Sequence, residues 1–121
     1  MNGGLSGSPL DTAVISVADL DASLAFYGGV IGMTASEPCS WSGEAFEALW
    51  HLPAGSAARA ALCHAGGDAV GRVQLVEFDA EKRELVRANA VRRAYGLFNL
   101  NFYTPDIHAA HAELSGRYEF W

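Results

Sequence analysis

Hydrophobic and polar residues alternate over residues 12–17, and the spacing then changes to that of a helix. Ala13, Ile15 and Val17 fall on one side of the predicted strand and are expected to pack on that helix. The other side is smaller and more polar, as expected of a surface that lines a cavity: Thr12, Val14 and Ser16. Asp19 stands at the N-cap position. Apolar residues at spacings of four and three follow, and Gly28, Gly29 and Gly32 are expected to end the helix.

The rest of the chain predicts further strands and helices. We expect a strand over residues 33–40, a short helix over 41–52, and strands over 59–64 and 71–78 joined by a glycine-rich turn at 66–68. This gives a βαβββ module. Residues 81–95 are compatible with a helix. A strand over 97–104, a helix from Pro105 and Asp106, and a strand starting at Arg117 complete the chain.

The strand-to-helix unit of residues 12–27 recurs in weaker form over residues 99–114, 87 positions later. Each copy places an aspartate, Asp19 or Asp106, seven residues after its first position. The strand positions of the two copies correspond as follows: Thr12 with Asn99, Val14 with Asn101, and Ser16 with Tyr103. Because strand start and cap keep the same spacing, we interpret the pair as an internal repeat.

Three segments resemble one family. VADLDASLAFYGGVIGM resembles the opening helix of the vicinal oxygen chelate superfamily, which includes glyoxalase I, bleomycin-resistance proteins, extradiol dioxygenases and methylmalonyl-CoA epimerase. VQLVEFD resembles its fourth strand, and GLFNLNFYTPDI the strand that opens its second module. The resemblance implies an α+β fold of paired βαβββ modules, here with the second module truncated after its second strand. We expect a flexible leader (1–10), a first module (11–80), a connecting segment (81–96) and a partial second module (97–121).

The resemblance also implies where a metal would be bound. The metal-ligand positions of the family fall on Thr12, Gln74 and Asn99, and a fourth position would lie beyond Trp121. Divalent transition metals prefer imidazole, carboxylate or thiolate ligands, and these three residues supply only neutral oxygens. We therefore predict no metal and no cofactor. Glu77 is the nearest candidate base, but strand alternation turns it away from Gln74.

Two groups of residues are candidates for binding a ligand. The first is a set of polar side chains on the predicted strands: Thr12, Ser16, Gln74, Asn99, Asn101 and Tyr103. These either satisfy one another within the fold or present donors and acceptors to a small molecule. The second is an aromatic group, Trp41, Phe46 and Trp50, which either covers the end of the sheet or forms an aromatic lid.

Composition restricts the partners. The net charge of −6 argues against a nucleic-acid binder, whose affinity depends on neutralising phosphates. No apolar run is long enough to predict a membrane span. Cys39 and Cys63 are the two cysteines, and their spacing predicts free thiols in a reducing compartment, hence a cytoplasmic protein.

Three functions stay open. The first is a metal-free protein that holds a small molecule between two modules, as bleomycin-resistance proteins do. The second is a lyase, isomerase or dioxygenase of the superfamily, with its metal site completed by a partner chain or by further C-terminal strands. The third is a module with only a structural or dimerising role. Because a full second module needs two more strands, we expect a homodimer that completes the pocket.

Overall fold

The computed structural model describes residues 10–67, 70–79 and 100–118. These residues fall into two compact units, one before residue 84 and one from residue 84 onward, and each is described by itself. The connecting segment expected over 81–96 and the candidate residue Asn99 lie outside the described residues.

A mixed sheet forms the first unit. Its strands are β1 (Thr12–Ser16), β2 (Thr34–Ala35), β3 (Cys39–Ser42), β4 (Ala57–His64) and β5 (Arg72–Asp79). The order is β1-β5-β4-β2, and β3 also pairs with β4. β1 runs parallel to β5, whereas β4 is antiparallel to β2, β3 and β5. The two long strands β4 and β5 therefore form the hairpin that the glycine-rich turn predicts.

The first helix, α1 (Leu20–Leu24), begins as predicted at Asp19, whose Oδ1 accepts the N–H of Ala22 at 2.9 Å. It does not end at the first glycines. The chain continues as a π-helical segment, Ala25–Val30, which contains Gly28 and Gly29. The N–H of Ile31 bonds to the carbonyl of Phe26 at 2.9 Å. Gly32, with φ of 84°, marks the end of the helical segment, since this conformation disfavours side chains.

The segment after α1 differs from the prediction. Instead of one strand over 33–40, two short strands are separated by residues 36–38, which include Pro38. Proline has no N–H to donate to a ladder, which explains the interruption. The second helix, α2 (Glu44–Trp50), is shorter than the predicted 41–52, because Trp41 belongs to β3.

The two sides of the sheet carry different helices. Leu20 of α1 is fully buried, and α1 contacts β4 and β5 on the side named here the α1 face. Phe46 of α2 packs on the opposite side, the α2 face, against Ala58, Ala60 and Val76. Strand alternation and register assign the other members of the α2 face: Thr12, Val14, Ser16, Leu62, Gln74 and Phe78.

Alanines dominate the central strand β4. Ala58, Ala60 and Ala61 are 4%, 0% and 1% exposed. Ala58 and Ala60 lie on the α2 face, and Ala61 lies on the α1 face. Small side chains on both sides let α1 and α2 approach the same strand. The core is completed by larger residues of the neighbouring elements: Leu20, Met33, Phe46, Val73, Leu75 and Val76.

In the second unit, α3 (Ile107–Ser115) begins as predicted at Asp106, whose Oδ1 accepts the N–H of Ala109 at 2.9 Å. The strand predicted over 97–104 is wrong in its described part, because residues 100–104 have no strand structure. The predicted start of a strand at Arg117 is also wrong, since residues 117 and 118 form a turn. Among the helices of the described segments, none combines the length and the apolarity of a membrane span.

Candidate functional site

A strip of polar side chains lies on the α2 face where β1 meets β5. It consists of Thr12, Ser16 and Gln74, with Val14 among them, and is named here the polar strip. Val14 is the direct neighbour of Gln74 in the parallel register, and Ser16 is the neighbour of Val76. Thr12 and Ser16 are four residues apart on one strand, about 13 Å at the usual rise. The strip is thus long enough to contact a small organic molecule along its length.

The chemistry of the polar strip is that of neutral hydrogen bonds beside an apolar surface. Gln74 and Thr12 are half-buried, and Ser16 is exposed. Val14 is 47% exposed, although it lies within a strand whose neighbour Ala13 is 6% exposed. The amide and hydroxyl groups supply both donors and acceptors. Such a surface suits a ligand with an apolar body and a few neutral polar groups.

An aromatic cluster stands beside the strip on the same face. Trp41 of β3 stacks on Trp50 of α2, with ring centroids 6.4 Å apart, and lies 6.1 Å from Phe46. The ring of Phe78 in β5 packs against Phe46 and Trp50, with ring centroids 6.2 and 5.5 Å apart, respectively. Phe46 is buried, whereas both tryptophans are partly exposed. Phe46 therefore belongs to the core of this cluster, and the accessible aromatic surface comes from the indole rings.

The remaining candidates lie elsewhere in the chain. Asn101 and Tyr103 belong to the second unit, where both are exposed, Tyr103 to 95%. Neither is in a strand, so alternation does not define which way they face. Six of the nine candidates therefore lie on one described face: Thr12, Ser16, Gln74, Trp41, Phe46 and Trp50.

Three residues of the α2 face were missed by the sequence interpretation as site candidates. Phe78 completes the aromatic cluster, Leu62 is the antiparallel neighbour of Gln74, and His64 lies at the far end of β4. The Nδ1 of His64 donates to the carbonyl of Gly66 at 2.7 Å. Period-two alternation from Gln74 leads to Phe78, whereas Leu62 and His64 follow only once the register of β4 with β5 is known.

The residues at the metal positions of the family do not fit a metal ion. Thr12 and Gln74 carry neutral oxygens, and their Cα atoms are two residues out of register on adjacent strands, about 8 Å apart. Arg72 is the direct neighbour of Thr12, and its guanidinium binds Asp11 through Nε at 3.1 Å and Nη2 at 2.7 Å. Because the Asp11 carboxylate is taken up by this ion pair, it is not a free ligand for a cation at Thr12. Among the described residues, no three His, Cys, Asp or Glu side chains form a metal-binding group.

Titratable groups with shifted pKa values lie on the α1 side. Burial raises the pKa of the Cys63 thiol, which is 0% exposed. Burial also raises the pKa of Tyr27, and the nearby Cys63 adds to that shift. As predicted, Glu77 turns toward the helix: its Oε2 accepts the N–H of Leu20 at 2.6 Å. The acid therefore caps α1 and does not face the polar strip.

Comparison with known proteins identifies the fold. The chain is similar to the crystal structure of a glyoxalase family protein from Bacillus cereus, with a TM-score of 0.76 and 21% sequence identity. The match covers 96% of this chain and 75% of that chain. The fold is therefore α+β and glyoxalase-like, as the sequence predicts, and the coverage fits a truncated second module. No protein-family model matches the chain. No curated protein matches it either.

Proposed function

We propose that this protein binds a small, partly aromatic molecule without a metal, in the manner of bleomycin-resistance proteins. The observation that carries the proposal is the exposure of Val14 between hydrogen-bonding side chains on a glyoxalase-like sheet. An apolar residue that is 47% exposed in mid-strand has a surface to gain from an apolar ligand. Gln74, Thr12 and Ser16 would orient that ligand through neutral hydrogen bonds.

The aromatic cluster supports the same class of ligand. Trp41 and Trp50 are stacked and partly exposed, so their rings offer an aromatic wall beside the polar strip. Aromatic groups pack on such rings in offset or edge-to-face geometry, each pair contributing about 0.5–1.5 kcal/mol beyond area burial. Asn99, Asn101 and Tyr103 remain candidate ligand contacts in this proposal on the sequence pattern alone.

A thermal-shift screen with aromatic and glycopeptide compounds tests the binding proposal. A true ligand raises the melting temperature, and above its Kd the shift grows with the logarithm of its free concentration. It also changes the fluorescence of Trp41 and Trp50, and Trp41→Phe reduces that signal. A screen in which no compound raises the melting temperature would contradict the proposal and favour a purely structural module.

The enzyme alternative has a separate test. A lyase, isomerase or dioxygenase of this superfamily relies on a metal ion to polarise its substrate. Elemental analysis of the protein purified without chelators would detect it. Stoichiometric Ni, Zn, Mn or Fe would overturn the metal-free proposal, and substoichiometric traces that dialysis removes would support it.

We further propose that two copies of the chain associate to complete the pocket. Light scattering over a range of concentrations measures this directly. A mass that rises toward twice 12.9 kDa with concentration supports the homodimer. A monomer mass that stays constant with concentration contradicts it.

A further inference from the structure

A cavity lies on the α1 face, on the side of the sheet opposite the polar strip. Its volume is about 250 Å³, and it lies across three adjacent strands, β3, β4 and β5. Side chains from two neighbouring cross-strand rows line it. One row is Ser40, Arg59 and Glu77, and the other is Ser42, Ala57 and Asp79.

The short side chain of Ala57 explains the hollow. Ala57 occupies the centre of its row, between Ser42 on β3 and Asp79 on β5. A methyl group there leaves space above the strand that the flanking side chains enclose. The volume equals that of about eight liquid waters. It is below the range of about 300–1,000 Å³ for drug-sized pockets, so the occupant is a small molecule.

Among the described residues, the charges around the hollow are mostly negative. The guanidinium of Arg59 donates from Nη2 to Oδ1 of Asp21 at 3.2 Å, so its own charge is already matched. That bond and the Asp21 charge raise the pKa of Arg59, with smaller contributions from Glu77 and Asp19. Asp79 is exposed, and among the described residues its carboxylate has no hydrogen-bond or ion-pair partner, although its backbone pairs with Ala57. Glu77 uses Oε2 for the Leu20 N–H and keeps Oε1 for a further donor.

We propose that this cavity binds a small organic cation that carries hydroxyl groups, of the amino-sugar or amino-alcohol class. The ammonium group would lie over Ala57 and donate to the Asp79 carboxylate. The hydroxyl groups would exchange hydrogen bonds with Ser40, Ser42 and Glu77. This site is independent of the proposed function, because it lies on the other face of the sheet.

The spacing of the two acids favours an organic cation over a metal ion. Glu77 and Asp79 are two residues apart on β5, about 7 Å between Cα atoms. Glu77 already accepts a hydrogen bond from the backbone N–H of Leu20. A compound with several donors spans that distance, whereas a bare ion must draw both carboxylates within about 2.6 Å.

Titration with glucosamine below neutral pH, followed by the backbone amide spectrum of the nitrogen-15-labelled protein, tests the proposal. N-acetylglucosamine is the matched probe, since it keeps the hydroxyls and loses the charge. We expect saturable shifts at the amides of Ser42, Ala57 and Asp79 with glucosamine and about tenfold weaker binding of the acetylated sugar. Shifts that are equal for the two sugars, or absent from these amides, would overturn the proposal.

Variants make the test specific. Asp79→Asn is expected to weaken the binding of glucosamine about tenfold. Ala57→Leu is expected to abolish binding, because the larger side chain fills the hollow. Glu37→Gln removes an equal charge from an exposed loop and is expected to leave binding unchanged. An unchanged affinity in Asp79→Asn, or a loss of equal size in Glu37→Gln, would contradict the site. Magnesium or calcium that binds at the same amides and displaces glucosamine would also overturn it.

Discussion

The side chain of Glu77 and the backbone of Leu20 are joined by a hydrogen bond of 2.6 Å that ties β5 to the start of α1. The two residues are 57 positions apart, and Leu20 is completely buried. The N–H groups in the first turn of a helix have no intrahelical partner, and a carboxylate also interacts favourably with the helix dipole. The Glu77 side chain therefore fixes both the N-terminus of α1 and the position of α1 on the sheet.

Glu77→Gln is expected to lower the free energy of unfolding by about 1 kcal/mol, because the amide can still accept the bond but lacks the charge. Urea unfolding followed by circular dichroism measures the change. Glu37→Gln serves as the control and should stay within about 0.5 kcal/mol of the parent. Equal losses in the two variants would show that net charge, and not the cap, determines the effect.

Two residues of α2 are expected to respond very differently to truncation. Phe46 is 8% exposed and contacts Trp41 and Phe78, whereas Leu49 is 74% exposed on the same helix. Phe46→Ala should lower the free energy of unfolding by about 3 kcal/mol or more through lost burial and a cavity. Leu49→Ala should change it by less than about 0.5 kcal/mol. A similar cost for both would contradict the packing of α2 on the sheet.

Gln74 is expected to contribute to ligand affinity more than to stability. Gln74→Leu keeps the apolar contacts and removes both the donor and the acceptor from the polar strip. For the best compound of the thermal-shift screen, we expect about a tenfold loss of affinity, equal to about 1.4 kcal/mol. Ser42→Ala, on the α1 face, should bind that compound as the parent does. An unchanged affinity in Gln74→Leu would place the ligand elsewhere.

The two cysteines are expected to differ in reactivity. Both are free thiols, Cys39 exposed on β3 and Cys63 fully buried on β4. Burial raises the pKa of Cys63 and so lowers its thiolate fraction. With Ellman's reagent at neutral pH, one thiol per chain should react quickly and the second only after unfolding in urea. Cys39→Ser should remove the fast phase, and two fast thiols in the folded protein would contradict the burial.

Cys63 also predicts the pH dependence of stability. Its pKa is raised in the folded state, so the folded protein holds its proton more tightly than the unfolded chain. The resulting stability is complete below the unfolded thiol pKa of about 8.5 and is lost as pH rises toward the folded value. The free energy of unfolding should therefore fall above about pH 8.5, and less steeply in Cys63→Ala. If the free energy of unfolding fell equally steeply with pH in the parent and in Cys63→Ala, this linkage would be contradicted.

Local sequence signals predicted the first unit well. The cap at Asp19, the hairpin of β4 and β5 and the orientation of Glu77 each depend on a few neighbouring residues, so pattern alone was sufficient. The same holds for the cap at Asp106 in the second unit. The polar strip followed from alternation in β1. Its position beside Gln74 required the parallel pairing of β1 with β5, which connects distant segments and which the family resemblance supplied.

The errors have physical reasons. Residues 100–104 alternate like a strand, but a strand exists only within a ladder, and alternation does not create the partner. Gly28 and Gly29 are accommodated in a helical segment whose hydrogen bonds shift to the π pattern, in which each N–H bonds to the carbonyl five residues earlier. Phe78 was overlooked because the aromatic residues were sought within one connection, although its ring partners lie more than 25 positions away.

The alanines of β4 have a consequence for how this sheet can change over evolution. Ala60 and Ala61 lack space on either side, since one faces α2 and its aromatic cluster and the other faces α1. A larger residue at either position must displace a whole helix, at a typical cost of about 1–3 kcal/mol. Substitutions at Ala60 and Ala61 are thus expected to be restricted to glycine and serine, while the exposed β1 positions Val14 and Ser16 remain free to diversify.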